Sequence, residues 1–208
     1  KPSTEIYKGM DLLDNKLGGT APLDVVINAP KNWITDIEEE SFDDDFGFED
    51  EESTNNGYWW NTISLEKLEQ IHDYLDSLPE IGKVLSVASG IKVATELKDG
   101  EPLSELDLAL VKNMLPEEIK ENLLSSYISN DENQVRISAR VIESAEGLNR
   151  NELLYEISET LKTDYSLEEE QFRLTGLAVL YNNMLQSLFD SQIGTIVIVI
   201  IIIFLMFL

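Results

Sequence analysis

The chain of 208 residues is 43% apolar, which is enough to bury the core of one domain of moderate size or of two small ones. Its formal net charge of −25 at pH 7 repels nucleic acid and anionic headgroups, which argues against a nucleic-acid-binding protein. The lack of cysteine excludes disulfides, thiol chemistry and cysteine-based zinc sites.

The first predicted element is a strand at residues 23–29, LDVVINA, which is rich in β-forming residues and lies between glycines and prolines. Residues 36–57 follow as an acidic segment. Its stretch from Asp36 to Glu52 holds eleven acids and no base, which predicts a solvated, disordered loop. The acids do not have EF-hand spacing, so we predict no metal site there. The nearby tryptophans fit either a core or an apolar patch for a partner or lipid: Trp33, Trp59 and Trp60.

A helix is predicted from Ser64, as its N-cap, to a stop at Pro79 and Gly82. Its apolar face is formed by Leu65, Leu68, Ile71, Leu75 and Leu78. His72, the only histidine of the chain, lies beside this face without a second His or Cys. We therefore expect a surface or boundary histidine with its hydrogen bonds satisfied rather than a metal ligand. The run GKVLSVAS, residues 82–89, predicts the second strand.

Residues 91–129 predict an insert of two or three short helices, interrupted by Gly100, Pro102 and Pro116. The third strand is predicted by NQVRISARVIES, residues 133–144, in which apolar residues alternate with Arg and Ser. A helix follows from Asn149, which forms a predicted capping box with Glu152. Its predicted apolar face consists of Leu153, Leu154, Ile157 and Leu161. The fourth strand is predicted at residues 172–176, FRLTG.

This order of elements predicts an α+β domain of the split β-α-β (ferredoxin-like) type, with helices on one face of the sheet. A last helix runs from about Leu177 into an unbroken apolar run, Ile196 to Leu208. A bilayer span needs about 20 apolar residues, and the run is shorter. We expect residues 193–208 to be the start of a transmembrane helix that is cut partway, rather than a buried core helix. Because Lys1 is not an initiator Met, we expect a piece of a larger membrane protein.

Residues 1–192 are then predicted to form a domain outside the membrane. The nearest base on the N-terminal side of the apolar run is Arg173, so the positive-inside rule places this domain on the non-cytoplasmic side. The sequence has no phosphate-binding loop, no nucleophile elbow and no HExxH motif. We therefore predict no enzyme, and no catalytic, cofactor or metal site.

The helix before the apolar run carries several polar groups, including Asp190. They fit either a solvated turn at the interface or a polar face that packs against neighbouring membrane helices. Two glycines that flank them are candidate flex points, because glycine tolerates backbone conformations that other residues do not. The candidate membrane-coupling residues are Gly176, Tyr181, Asn182, Asn183, Gln186, Gln192 and Gly194.

Four stretches resemble bacterial exporters of the resistance-nodulation-cell division (RND) superfamily, in its MMPL-type branch: LGGTAPLDVVI, YLDSLPEIGKVLSVAS, QVRISARVIES and LTGLAVLYNNMLQSLFDSQIGT. The resemblance covers nearly the whole chain except the acidic insert. It looks like the second of two extracytoplasmic porter loops of a multi-pass protein in the bacterial inner membrane, with this domain in the periplasm.

The resemblance implies a proton-driven exporter of hydrophobic or amphiphilic, often lipid-like, substrates. The implied partners are the bilayer, the substrate, the other domains of the same chain and, in a homo-oligomer, further copies. The proton-relay acids of such exporters lie in central membrane helices outside these residues. Two alternatives remain open: a membrane-anchored binding or scaffold module, and a lipid or sterol sensor without transport.

Overall fold

A computed structural model describes residues 4–31, 57–114 and 124–207. The predicted acidic loop at 36–57 lies outside these ranges except for Gly57, and Trp33 and Pro116 also lie outside them. The described elements are α1 (Glu5–Leu17), β1 (Ala21–Asn28), α2 (Thr62–Ser77), β2 (Ile81–Leu85), α3 (Val87–Leu97), α4 (Glu105–Met114), β3 (Gln134–Val141), α5 (Arg150–Thr163), β4 (Phe172–Thr175) and α6 (Leu177–Phe207).

The four strands form one sheet in the order β2-β3-β1-β4, in which every neighbouring pair is antiparallel. Alternate residues of β1 and β3 are buried, as expected for a sheet with one covered face. The buried side chains of α2 and α5 belong to the same apolar cluster as the buried face of the sheet. The prediction of an α+β domain is therefore confirmed.

The third strand and the helix after it follow their sequence patterns closely. In β3 the predicted inward residues Val135, Ile137, Ala139 and Val141 are buried. The side chain of Asn149 accepts a hydrogen bond from the backbone N–H of Glu152 at 3.3 Å, which caps α5. On the predicted apolar face of α5, Leu153, Ile157 and Leu161 are buried and Leu154 is half-buried.

The prediction that Ser64 caps α2 is wrong. The helix begins at Thr62, and the side chain of Asn61 accepts a hydrogen bond from the backbone N–H of Ser64 at 2.7 Å. Asparagine is at least as good an N-cap as serine, and Asn61 sits one turn earlier, so Ser64 lies buried inside the helix. The predicted apolar face is confirmed except at its end, since Leu78 is the half-buried C-cap.

The second strand is shorter than predicted, because β2 ends at Leu85 and residues 87–89 are helical. Ser86 stops the strand by capping α3: its hydroxyl accepts from the backbone N–H of Ala88, and its own N–H donates to Ser89 Oγ. The helical insert thus begins at Val87 rather than at residue 91. Its described part contains two helices, α3 and α4.

His72 is more buried than the sequence indicated, and the burial of two tryptophans decides between two predicted alternatives. Only 6% of the His72 surface is exposed, and its Nδ1 forms a 2.9 Å hydrogen bond with Ser86 Oγ. The prediction of a surface or boundary position is wrong, because α3 folds back over this side of α2. The prediction that His72 has a hydrogen-bond partner is confirmed by Ser86. Trp59 and Trp60 lie in the core, which decides between the two interpretations of these residues.

The helix α1 was not predicted from the sequence. Thr4 caps this helix at its start, and Gly18 ends it in the left-handed region, with φ of 65°. One side of α1 is apolar and exposed, at Ile6, Met10, Leu13 and Leu17. Its buried polar group is Asp14, which connects the helix to the rest of the fold.

Candidate membrane-coupling site

The last strand joins the last helix through a single residue, Gly176. Its φ of 106° lies in a region that L side chains rarely adopt. A Cβ atom at this position would lie 2.5 Å from the carbonyl oxygen of Pro22, on the neighbouring strand. Glycine is therefore required here both by the backbone conformation and by the close approach of β1. The helix follows the strand without a loop.

The first two turns of α6 are packed against the domain. Ala178 is 1% exposed and Asn182 is 8% exposed. The side-chain amide of Asn182 donates to Asn151 Oδ1 on α5 at 3.3 Å. The helix is thus held at two places, by β1 at Gly176 and by α5 at Asn182.

The other predicted polar residues do not meet partners within the described chain. Tyr181, Asn183, Gln186 and Gln192 are all exposed. The segment is helical throughout, and the exposure of these residues fits both a solvated turn of this helix and a face that packs against neighbouring membrane helices, so both predictions stay open. Since an α-helix turns by about 100° per residue, Asn183 and Gln186 share one side of α6 with Asn182, while Tyr181 and Gln192 lie on the other side. A single polar face therefore accounts for three of these five residues.

Gly194 lies inside α6 and does not interrupt it. It has no positive φ, and a Cβ atom at this position would meet nothing within 4 Å. Its role as a flex point stays a prediction.

The helix α6 has 31 residues, which corresponds to a length of about 46 Å. Among the described residues it is the one helix long and apolar enough to cross a membrane, judged by length and composition. The expected continuity between the domain and the apolar run is confirmed. The part of the helix before the predicted membrane segment at residues 193–208, Leu177 to Gln192, is about 24 Å long at 1.5 Å per residue.

Sequence reasoning missed Asp14 and Asn151, the two residues that connect α1 and α6 to the body of the domain. Asp14 accepts hydrogen bonds from Thr20 Oγ1, Ser144 N and Ser144 Oγ, each at 2.7 Å. A signal for α1 was present, because its apolar residues recur at helical spacing and Gly18 follows as a terminator. No comparable signal points to Asn151, since its partner is 31 residues away.

The described residues contain no group of three or more His, Cys, Asp or Glu side chains placed to hold a metal ion. Two titratable groups are buried in the part of the chain that the structure describes, Asp14 and His72, and both form hydrogen bonds within the domain. What the arrangement offers is mechanical: a helix that is fixed directly to the edge strand β4 and to its neighbour β1. No protein-family model matches the chain, and no curated protein is significantly similar to it.

Proposed function

We propose that this chain is the substrate-handling periplasmic domain of a proton-driven membrane exporter of hydrophobic or amphiphilic, lipid-like substrates. The observation that carries the proposal is the joint at Gly176, where α6 continues the sheet without a flexible linker. A helix that only tethered a domain would not need such a joint. A transporter needs one, because rearrangement of its membrane helices must move the domain that handles the substrate.

The strand order supports a porter-type fold. The order β2-β3-β1-β4 with antiparallel neighbours is the order that a split β-α-β domain requires. In this interpretation α2 and α5 are the two crossover helices, and α3 and α4 belong to the insert. The resemblance to MMPL-type exporters of the RND superfamily remains part of the proposal.

The test uses the full-length polypeptide that carries these residues, reconstituted in proteoliposomes with a fluorescent amphiphile inside. We expect export that starts when a proton gradient is imposed and stops when a protonophore is added. The same polypeptide should show about a dozen membrane spans in two similar halves, with acids in a central helix. A polypeptide with a single span, or export that ignores the gradient, would contradict the proposal and favour a membrane-anchored binding module.

A further inference from the structure

The face of the sheet that the described residues leave uncovered carries most of the few arginines of this acidic chain. Of the four arginines in the sequence, three lie on this face: Arg136, Arg140 and Arg173. All three are exposed, and Lys83 on β2 is exposed as well. We define the basic face as these four residues together with the outward residues of β1. The domain is strongly negative overall, and this face reverses the sign locally.

The register of the strands fixes the arrangement of the basic face. Val26 on β1 is paired with Arg136 on one side and with Arg173 on the other. Adjacent strands are about 4.8 Å apart, so the two arginines flank Val26 at a Cα separation of about 10 Å. Pro22 is paired with Arg140 in the same way. In each of these two rows a cationic side chain therefore lies beside an apolar one.

The bases of this face are not neutralised within the domain. Among the residues that the structure describes, Arg136, Arg140, Arg173 and Lys83 form no ion pair. Five other bases do, at Lys31, Lys92, Lys98, Arg150 and Lys162. The one acid on β1, Asp24, lies between the two rows of arginines. Within the described ranges, the lack of carboxylate partners leaves these guanidinium groups available to an anion.

A cavity of about 190 Å³ adjoins one end of the basic face. It is lined by Val26, Gln134, Arg136 and the segment from Ser125 to Ser129. A water molecule occupies about 30 Å³ in the liquid, so the cavity admits a group of several heavy atoms. One arginine, an apolar side chain and several polar groups thus meet at a concave site.

We propose that the basic face binds the phosphate headgroup of an anionic amphiphile, with Arg136 and Arg173 contacting the phosphate and Val26 contacting the start of the acyl chain. Arginine suits this task because its planar guanidinium group can bind a phosphate through two parallel hydrogen bonds. The inference rests on the proposed function and names the substrate class of that exporter.

The size of the face favours a small ligand over a protein partner. The sheet is about 15 Å wide and β1 about 26 Å long, which gives an area of about 400 Å². A stable protein interface buries about 800 Å² on each partner. The surface of an intact bilayer is also a poor fit, because the part of α6 before Ile193 keeps the sheet about 24 Å from the predicted membrane segment at residues 193–208 when the helix stands upright. The ligand is therefore an amphiphile that has left the bilayer.

The test measures binding to the 208-residue chain in nanodiscs of phosphatidylcholine, by calorimetric titration with monomeric dihexanoylphosphatidylglycerol. The double variant Arg136→Gln/Arg173→Gln should bind this lipid more weakly by about tenfold or more, because both guanidinium contacts are lost. Lys8→Gln/Lys16→Gln removes the same charge from exposed positions on α1 and should bind as the original chain does. A third variant, Arg136→Lys/Arg173→Lys, keeps the charge and should bind with intermediate affinity.

Two further titrations test whether the site needs both the negative charge of the headgroup and the acyl chain. Dihexanoylphosphatidylcholine, which has no net charge, and inorganic phosphate, which has no acyl chain, should each bind more weakly than dihexanoylphosphatidylglycerol. Equal affinity for the two lipids, or an equal loss in the α1 variant, would overturn the inference. Inorganic phosphate that binds as tightly as the anionic lipid would also overturn it. If the chain binds the anionic lipid as expected but the full-length polypeptide shows no proton-driven export, the proposed function is contradicted and the inference about the basic face is not.

Discussion

At the level of single residues, the carboxylate of Asp14 attaches α1 to the rest of the domain through hydrogen bonds from Thr20 and Ser144. Burial by itself raises the pKa of this carboxyl group. The hydrogen bonds from Ser144 and Thr20 outweigh that effect and hold the pKa below the ordinary value of aspartate. The folded state therefore favours the charged form.

The variant Asp14→Asn should lower the free energy of unfolding at pH 7 by about 1–3 kcal/mol, because an amide group disrupts the acceptor pattern. In the original chain, the contribution of Asp14 is present above its ordinary pKa of about 4 and is lost as the pH falls through the lowered folded pKa. Urea unfolding at pH 7 and pH 3 checks both statements. Asp76→Asn, at an exposed position on α2, is the control and should change little; an equal loss in both variants would contradict the role of Asp14.

His72 gives a second prediction that depends on pH. Burial, and then the positive charge of Lys92, lower the pKa of the imidazole, so the folded state favours the neutral ring more than the unfolded chain does. Below about pH 6.5 the unfolded chain binds more protons than the folded one, so the free energy of unfolding falls as the pH falls. His72→Asn should therefore flatten the change in melting temperature between pH 7.5 and pH 5.

The control for His72 is Asn149→Ala, which removes the cap of α5 and should cost about 1 kcal/mol at both pH values. A melting temperature that responds to pH equally in the original chain and in His72→Asn would show that another group is responsible. A change in the pH dependence can be assigned to His72 among histidines, because the chain has only one histidine.

At the level of elements, the joint between β4 and α6 sets the stability of the attachment. Gly176→Ala should destabilise the domain by more than about 2 kcal/mol, because the methyl group is strained by the positive φ and also meets the Pro22 carbonyl oxygen. Gly147→Ala is the matched control, since Gly147 has a φ of 80° but open space around its Cβ position. Chemical denaturation of both variants separates the strain from the close contact. If both variants lost the same free energy of unfolding, the Pro22 carbonyl group would have to move away from the added methyl group at little cost.

The helix α6 gives a prediction about transport. Gly194→Leu should impair export by the full-length polypeptide, if this position must bend or approach a neighbouring helix during the cycle. The domain itself should keep its free energy of unfolding within about 0.5 kcal/mol, because nothing lies within 4 Å of the added Cβ atom. Normal export by this variant would contradict the proposed coupling.

Elements with a complete local signal could be predicted from the sequence. The alternation in β3 and the apolar face of α2 each depend on neighbouring residues, and both are confirmed. The end of β2 could not be predicted, because Ser86 stands within a run of β-forming residues and only the fold decides that it caps a helix. The basic face was harder still to predict from the sequence. The outward positions of Arg136 and Arg140 follow from alternation, but Arg173 joins them only through the register of β4 on β1.

For the whole molecule, the charge of −25 makes folding sensitive to salt. Repulsion among the acids opposes the compact state, and salt screens interactions beyond about 10 Å at 0.1 M. Raising the NaCl concentration from 0.02 M to 0.5 M should therefore raise the melting temperature of the original chain. A melting temperature that falls with added NaCl would mean that ion pairs such as Lys98–Asp107 outweigh the net repulsion.

The antiparallel pairing of β1 and β4 has a mechanical consequence. The helix α1 precedes the start of β1, and α6 follows the end of β4, so both helices attach at the same end of this strand pair. Pulling the two helices apart would open the pair like a zip, loading its hydrogen bonds one after another from Asp24–Thr175 towards Ile27–Phe172. Moving both helices together loads none of these bonds. The domain can thus follow a concerted displacement as a rigid body, while the short strand β4 is the first part to yield when the displacements differ.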